Sequence, residues 1–296
     1  MFPVSNSSQT IIDCFINATQ KLGIQVLTSQ SVQSIYKKND FWQVETQSEN
    51  YFTEKLILAT GSNPKIWEML QNFGHAIVSP VPSLFTFNIK DTRIKELPGV
   101  SAQVTATVKD TKLESNGPLL ITHWGLSGPA ILKLSAWGAR ILFDKNYQFT
   151  IFINWLNDID TEECEKILKD LKLENAKKSV SKKSPFELTN RLWESLVLAS
   201  VIETETKWAD LTKNQIQNLV NQLTNCSFQV NGKSTFKEEF VTAGGIDLKE
   251  INFKTMQSKL HENLYFAGEI VNIDAVTGGY NFQNAWTSGF IVANNF

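Results

Sequence analysis

The chain has 296 residues, of which 42% are hydrophobic and 20% charged, and this composition excludes a disordered tail, a coiled coil and a collagen-like fibre. Lys+Arg 28 against Asp+Glu 30 leaves a formal net charge of −2, so no global basic field exists to hold nucleic acid or an anionic membrane. The length predicts about two domains.

The first eighty residues read as a helix followed by strands. Ser7 or Ser8 can cap a helix through about Leu22, with Ile11, Ile12, Phe15 and Ala18 on one apolar face and Gly23 at its stop. Ile24–Leu27 suits a short buried strand. Val32–Tyr36, Phe41–Thr46 and Tyr51–Thr53 follow as an antiparallel meander, with Asn39-Asp40 as a turn. Leu56–Ala59 then reads as a fully buried strand running into a tight turn at Thr60-Gly61. A helix, a meander and a returning buried strand form an α/β signature.

Beyond Pro80 and Pro82 the period changes to two. Phe85, Phe87 and Ile89 alternate with polar residues, as do Val104, Ala106 and Val108. Further on, Phe149, Ile151, Ile153 and Trp155 repeat the pattern. Each set predicts a strand with one wet face, together a small sandwich or barrel. From about Asn157 to Leu223 the period is helical. Cys164, Ile167, Leu168 and Leu171 share a face, Lys177 to Lys183 form a solvated connector, and Ser184-Pro185-Phe186-Glu187 and Thr212-Lys213-Asn214-Gln215 are capping boxes. These helices are expected to be peripheral. Cys226, Phe228 and Val230 form a strand leading into Asn231-Gly232, a strong hairpin signal.

The C-terminal stretch carries the most chemistry. Leu264–Glu269 reads as a buried strand with a glycine–acid end, and it leads to Thr277-Gly278-Gly279-Tyr280-Asn281 and a final helix to about Ala293. Gly268 admits close approach of a ligand, Glu269 can accept hydrogen bonds from sugar-like hydroxyls, and the helix start offers unpaired N–H groups. On residue types alone this stretch reads equally well as a structural β–α turn. Ala285, Ser288, Gly289 and Val292 give the helix a small-residue face for packing on a sheet.

Val241-Thr242-Ala243-Gly244-Gly245, Leu264–Glu269, Asp274 and Thr277–Asn281 together resemble the end of the BaiN/RdsA-like (YhiN-type) NAD(P)/FAD-dependent oxidoreductases. Phe2-Pro3-Val4-Ser5, Ala59-Thr60-Gly61, Gly74-His75 and Thr122-His123-Trp124-Gly125-Leu126-Ser127-Gly128-Pro129 match that family in the same order. The resemblance implies an α/β fold: an FAD/NAD(P)-binding Rossmann-like domain from residues 1–81 and 249–296. A β-barrel-like insert at 82–156 and 224–248 would interrupt it, carrying a helical insert at 157–223. It implies flavin contacts at Val32, Thr60, Gly61, Gly268, Glu269, Gly279, Tyr280 and Asn281, with FAD as cofactor and NAD(P)H as a candidate electron donor. The partner expected is a small-molecule substrate. The chain departs from the family by having no GxGxxG motif, so the Rossmann-like domain is expected to be N-terminally incomplete and the chain to purify largely without flavin. A non-catalytic remnant and an anion-binding α/β module are the competing readings.

His123 reads either as a structural histidine beside a Gly-Leu-Ser-Gly-Pro turn or as an acid–base group. Three scattered histidines and isolated cysteines make no metal site. Cys14, Cys164 and Cys226 form no CxxC pair and suit free thiols in a reducing compartment. No apolar run reaches the roughly 18 residues of a spanning helix, and Met1–Asn6 lacks the features of a signal peptide. A cytoplasmic location is the expectation.

Overall fold

The computed structural model describes residues 3–234 and 241–295. Phe2 of the first motif and residues 235–240 of the expected barrel return lie outside the described residues. The chain clusters into two compact units, Met1–Leu56 and Ile57–Phe296.

In the first unit the Ser7 side chain accepts the Gln9 N–H and opens α1 (Ser8–Lys21), as a serine N-cap should. Its apolar residues Ile11, Ile12 and Phe15 remain exposed. The strand expected over Ile24–Leu27 does not form. All four residues are exposed, and no strand of the described residues pairs with them. An apolar run becomes a strand only where a neighbour takes its N–H and C=O groups. The meander is present as β1 (Val32–Lys38), β2 (Phe41–Thr46) and β3 (Asn50–Thr53), antiparallel in that order. Asn39 turns at φ 53° between β1 and β2, a conformation asparagine tolerates.

The second unit begins within β4 (Leu56–Leu58), which ends on buried Leu58 while Ile57 is 41% exposed. The fully buried strand expected there is therefore buried at its end only. α2 (Pro64–Asn72), capped by Asn63, precedes β5 (Ile77–Ser83). Next come β6 (Thr86–Asn88), α3 (Thr92–Lys95), β7 (Ser101–Val108), β8 (Glu114–Thr122) and β9 (Gly125–Ser127). After them lie α4 (Pro129–Trp137), α5 (Ala139–Asp144) and β10 (Gln148–Asn154).

The period-two segments form one seven-stranded sheet with β11 (Cys226–Asn231) at one edge and β12 (Lys233–Ser234) at the other. Only Gly232 joins these edge strands. Its carbonyl accepts the Asn88 N–H at 3.0 Å and its own N–H donates to the Tyr147 carbonyl at 2.8 Å, so the connection crosses from edge to edge and curls the sheet into a barrel-like body. The hairpin expected at Asn231-Gly232 is thus absent: β11 pairs with β10 and β12 with β6. Asn231 stays in the strand and only Gly232 turns, whereas a two-residue hairpin needs both to leave the ladder. Thr86, expected on the wet face, is buried, and the Trp124 indole N–H donates to its hydroxyl at 3.1 Å.

α6 (Thr161–Glu174), α7 (Asn190–Ala199) and α8 (Lys213–Thr224) supply the helical segment. The Thr212–Gln215 capping box forms. The Ser184–Glu187 box does not: the Ser184 hydroxyl accepts the Phe186 N–H in a turn, and Thr189 caps α7. Phe186 packs on Trp193 and Leu188 is buried, which holds this stretch out of the helix. Leu192, Trp193, Leu196, Leu219 and Leu223 share one hydrophobic cluster with Ile151, Ile153, Trp155 and Phe228 of the sheet. The helices are therefore part of the barrel's core and not the peripheral element expected. Thr212→Ala is expected to cost about 0.5–2 kcal/mol and Ser184→Ala less, by urea unfolding; the reverse order would contradict this assignment of caps.

β13 (Val241–Ile246) pairs antiparallel with β5. β14 (Ile251–Asn252), β15 (Gln257–Ser258) and β16 (Leu264–Phe266) form a four-stranded sheet with β4, in the order β14-β15-β16-β4. α9 (Tyr280–Ala293) closes the chain. Among the described residues no helix is long and apolar enough to cross a membrane.

Cys164 and Cys226 are buried and Cys14 is exposed. Burial pushes the Cys164 thiol up to about 12, and the Cys226 thiol up to about 11 despite the Arg93 guanidinium 3.2 Å away. Since only thiolates react quickly, a disulfide reagent should titrate one thiol per native chain and three after unfolding. Two or more fast thiols in the native protein would contradict the burial of these side chains.

Candidate functional site

Several elements of the second unit end at one cleft of about 700 Å³. Ala59 and Gly61 reach it from the end of β4, and Ala267, Gly268 and Glu269 from the end of β16. Val276–Gly279 supply the loop before α9, and Asn281, Phe282, Ala285 and Gly289 one side of that helix; Leu84 and Val241 complete the wall. Its volume falls in the range of small-molecule sites, and most of its lining is apolar or glycine.

The buried run Leu264-Tyr265-Phe266 leads straight into the 3-10 turn Gly268–Ile270. Two contacts fix that turn. The Ser288 hydroxyl accepts the Gly268 N–H at 2.9 Å and donates back to the Asn284 carbonyl at 2.7 Å. The Trp67 indole N–H donates to the Ile270 carbonyl at 2.9 Å. Glu269 is half-buried, and among the described residues no cation forms an ion pair with it. Burial raises its carboxyl above the ordinary glutamate range, because a poorly solvated carboxylate resists ionisation.

α9 starts at Gly279, which takes a left-handed φ of 90° and supplies no side-chain cap. The first-turn N–H groups of a helix have no intrahelical partner and carry the positive end of its dipole. Here they stand beside a cleft, without the polar side chain that caps α1, α2, α3, α6, α7 and α8. The Asn281 amide is engaged elsewhere: its Oδ1 accepts the Ala275 N–H at 3.0 Å and its Nδ2 donates to the Ala275 carbonyl at 2.9 Å. This clamp, with the Ser83 hydroxyl donating to Asp274 at 3.0 Å, shapes the loop before the helix.

The structure brings Gly61, Gly268, Glu269, Gly279 and Asn281 together in the cleft. Thr60 lies between two of its lining residues. Tyr280 is 58% exposed, and its ring lies over Gly278 rather than among the lining residues. Val32 opens β1 in the first unit. His123 is exposed on the turn between β8 and β9 and lines a different groove, of about 410 Å³, with Lys90, Asp91, Lys95 and Thr122. Ser288, Trp67, Phe282 and Leu84 were not singled out for this site by sequence. Of these, only Ser288 had a signal, its place on the small-residue face of the last helix. Among the described residues no group of three or more His, Cys, Asp or Glu converges on a metal-sized site.

Three relatives align over nearly the whole chain. The ribosomal RNA dihydrouridine synthases of Haemophilus influenzae and Escherichia coli are each 28% identical, over 97% and 98% of this chain and 72% of their own length. The 3-dehydro-bile acid delta(4,6)-reductase of Clostridium scindens is 21% identical over 98% of this chain and 74% of its own. Residues 1–295 match the HI0933-like protein Rossmann domain, and the chain belongs to that family.

Proposed function

We propose that the chain is an FAD-dependent oxidoreductase acting reductively on a small-molecule substrate. The observation that carries this reading is the convergence, on one apolar-walled cleft, of a helix start with no side-chain cap and a half-buried carboxylate that has no ion-pair partner among the described residues. The chemistry fits a flavin. Apolar walls from Leu84, Val241, Val276 and Phe282 suit an aromatic ring, and the Glu269 carboxylate suits ribityl hydroxyls. The first-turn N–H groups of α9 suit the electron-rich, pyrimidine end of the ring. A bound flavin supplies the hydride transfer, while the protein supplies position and field. The relatives' names, a dihydrouridine synthase and a delta(4,6)-reductase, support the reductive direction. NAD(P)H is the electron donor most in keeping with it.

In this reading the cleft would hold the ring and the ribityl chain, whereas the sequence has no GxGxxG loop for a pyrophosphate. Riboflavin and FAD should therefore bind these 296 residues with affinities within about tenfold, that is within about 1.4 kcal/mol, read by quenching of flavin fluorescence. Absence of saturable binding by both would overturn the proposal.

Glu269→Gln gives a second check. Because burial raises the carboxyl, the folded state holds that proton more tightly than the unfolded chain does. Stability is then lost as pH rises from the ordinary glutamate value through the raised one. The variant should be at least as stable as the wild type at pH 7 yet bind riboflavin more weakly. Equal binding would remove Glu269 from the site.

A further inference from the structure

Away from the cleft, a histidine, a serine and a glutamate form a chain of hydrogen bonds inside the second unit. His75 Nδ1 lies 2.8 Å from Glu250 Oε2, and His75 Nε2 lies 3.1 Å from Ser258 Oγ. Such an order of groups suits a hydrolytic nucleophile, but His75 is 2% exposed and Ser258 6%. Moreover, Ser258 Oγ accepts the N–H groups of Leu260 at 3.1 Å and His261 at 3.0 Å. Both hydroxyl lone pairs are taken, so its proton donates to His75 Nε2. That fixes the tautomer: Nε2 is the acceptor and the Nδ1–H donates to the Glu250 carboxylate.

The ring also touches the strand that leads to the cleft. It packs edge-on against Phe266 of β16, with centroids 5.3 Å apart. β15, which carries Ser258, pairs with β16 through Gln257 and Tyr265, and the Phe266 N–H donates to the Met256 carbonyl at 3.0 Å. Ala267, Gly268 and Glu269 follow directly. Glu250 additionally accepts the Ala76 N–H at 3.0 Å, so one carboxylate holds both the ring and the backbone beside it.

We infer that His75 is a positioning residue for the Gly268–Glu269 turn, locking β15 and β16 through Ser258, and that this lock opens on mild acidification. An imidazolium needs an acceptor at Nε2, where Ser258 has no lone pair left. Protonation therefore sets a donor against a donor and costs either the His75 bond or the serine's bonds to Leu260 and His261. Among the described residues the titratable groups facing the ring are Glu250, from the 3-10 turn before β14, and His261, from the loop after β15 with ring centroids 5.8 Å apart. Phe266 and Ser258, on the neighbouring strands, bring no charge. Burial lowers the His75 pKa, with His261 adding to the effect and Glu250 opposing it. With a depressed folded-state value, the stabilisation is complete above the ordinary histidine value of about 6.5 and is lost as pH falls below it. The inference needs no bound flavin.

The test is amide hydrogen exchange of the whole chain at pH 7.5 and 5.5, corrected for intrinsic exchange, with no ligand added. Residues 256–270 should lose several-fold in protection at the lower pH, up to the roughly tenfold limit set by one proton with an ordinary value of about 6.5, while β7 and β8 of the barrel do not change. His75→Gln should abolish that pH step, and Ser258→Ala, which removes the hydroxyl that forces Nε2 to accept but leaves the ring and its Glu250 tie, should reduce it. The proposal is overturned by a step that persists in His75→Gln, by one undiminished in Ser258→Ala, by none in the wild type, or by an equal step in the barrel. Nitrogen-15 shifts of the His75 ring in the wild type decide independently of either variant's folding: an Nε2–H tautomer at pH 7.5 would also overturn it. Because flavin titration and exchange are separate measurements, failure of one reading leaves the other standing.

Discussion

Gly245→Ala is expected to destabilise the second unit by about 2–5 kcal/mol and to open the candidate cleft. Gly245 adopts φ 126°, and a Cβ built on it would lie 2.6 Å from the Ile270 carbonyl oxygen, 2.8 Å from the Val271 carbonyl carbon and 3.0 Å from the Asn272 nitrogen. All three are backbone atoms, so no side-chain rotation relieves the clash. The same segment is held by a bridge between Ile246 and Val271, with the Asn272 N–H donating to the Ile246 carbonyl at 3.1 Å. Pushing the two backbones apart would break this bridge and strain the Trp67 bond to Ile270. The turn that presents Glu269 would lose its support from β13. Urea unfolding should show the loss, and exchange should show it first in residues 268–272. Stability within 0.5 kcal/mol of wild type would mean that the backbones are not in contact. Trp67→Phe should be milder, about 1–3 kcal/mol, because it leaves the Ile270 carbonyl without its donor while keeping most of the packing.

What the sequence made legible follows from what residue spacing encodes. Alternation at Val104, Ala106 and Val108 gave a strand whose buried face is the one predicted, since the side-chain period in a strand is two whatever the partner. The glycine–acid end of β16 and the glycines before α9 were readable because close backbone approach and left-handed turns restrict residue choice. Pairing was not readable. Ile24–Leu27 has strand-like residues and no partner strand, and Asn231-Gly232 has turn residues but joins opposite edges of a sheet. Both outcomes are set by residues distant in sequence, as is the burial of α7 and α8 against Trp155 and Phe228. Within the site, the glycines and Glu269 carried a local signal. Ser288 and Trp67 hold the turn by bonds spanning 20 and 203 residues, and no local pattern announces such bonds.

Gly279→Val is expected to weaken riboflavin binding more than tenfold, over 1.4 kcal/mol, while the protein stays folded. A Cβ on Gly279 would meet nothing within 4 Å, so the substitution creates no internal clash. Its cost to the fold is the left-handed φ of 90°, about 1–2 kcal/mol for a residue with a side chain. The new isopropyl group would stand at the first turn of α9, in the space that a ligand must enter to reach the N–H groups there. Gly99→Val separates the two effects. Gly99 has nearly the same φ, 88°, and equally open surroundings, and it is not among the residues lining the cleft. The two variants should therefore lose similar stability, and only Gly279→Val should lose affinity. Gly279→Ala should fall between wild type and valine, because a single methyl covers less of the helix start. If Gly99→Val weakens riboflavin binding as much as Gly279→Val, the loss reflects backbone strain alone. If neither changes it, the α9 N-terminus is not where the flavin ring lies.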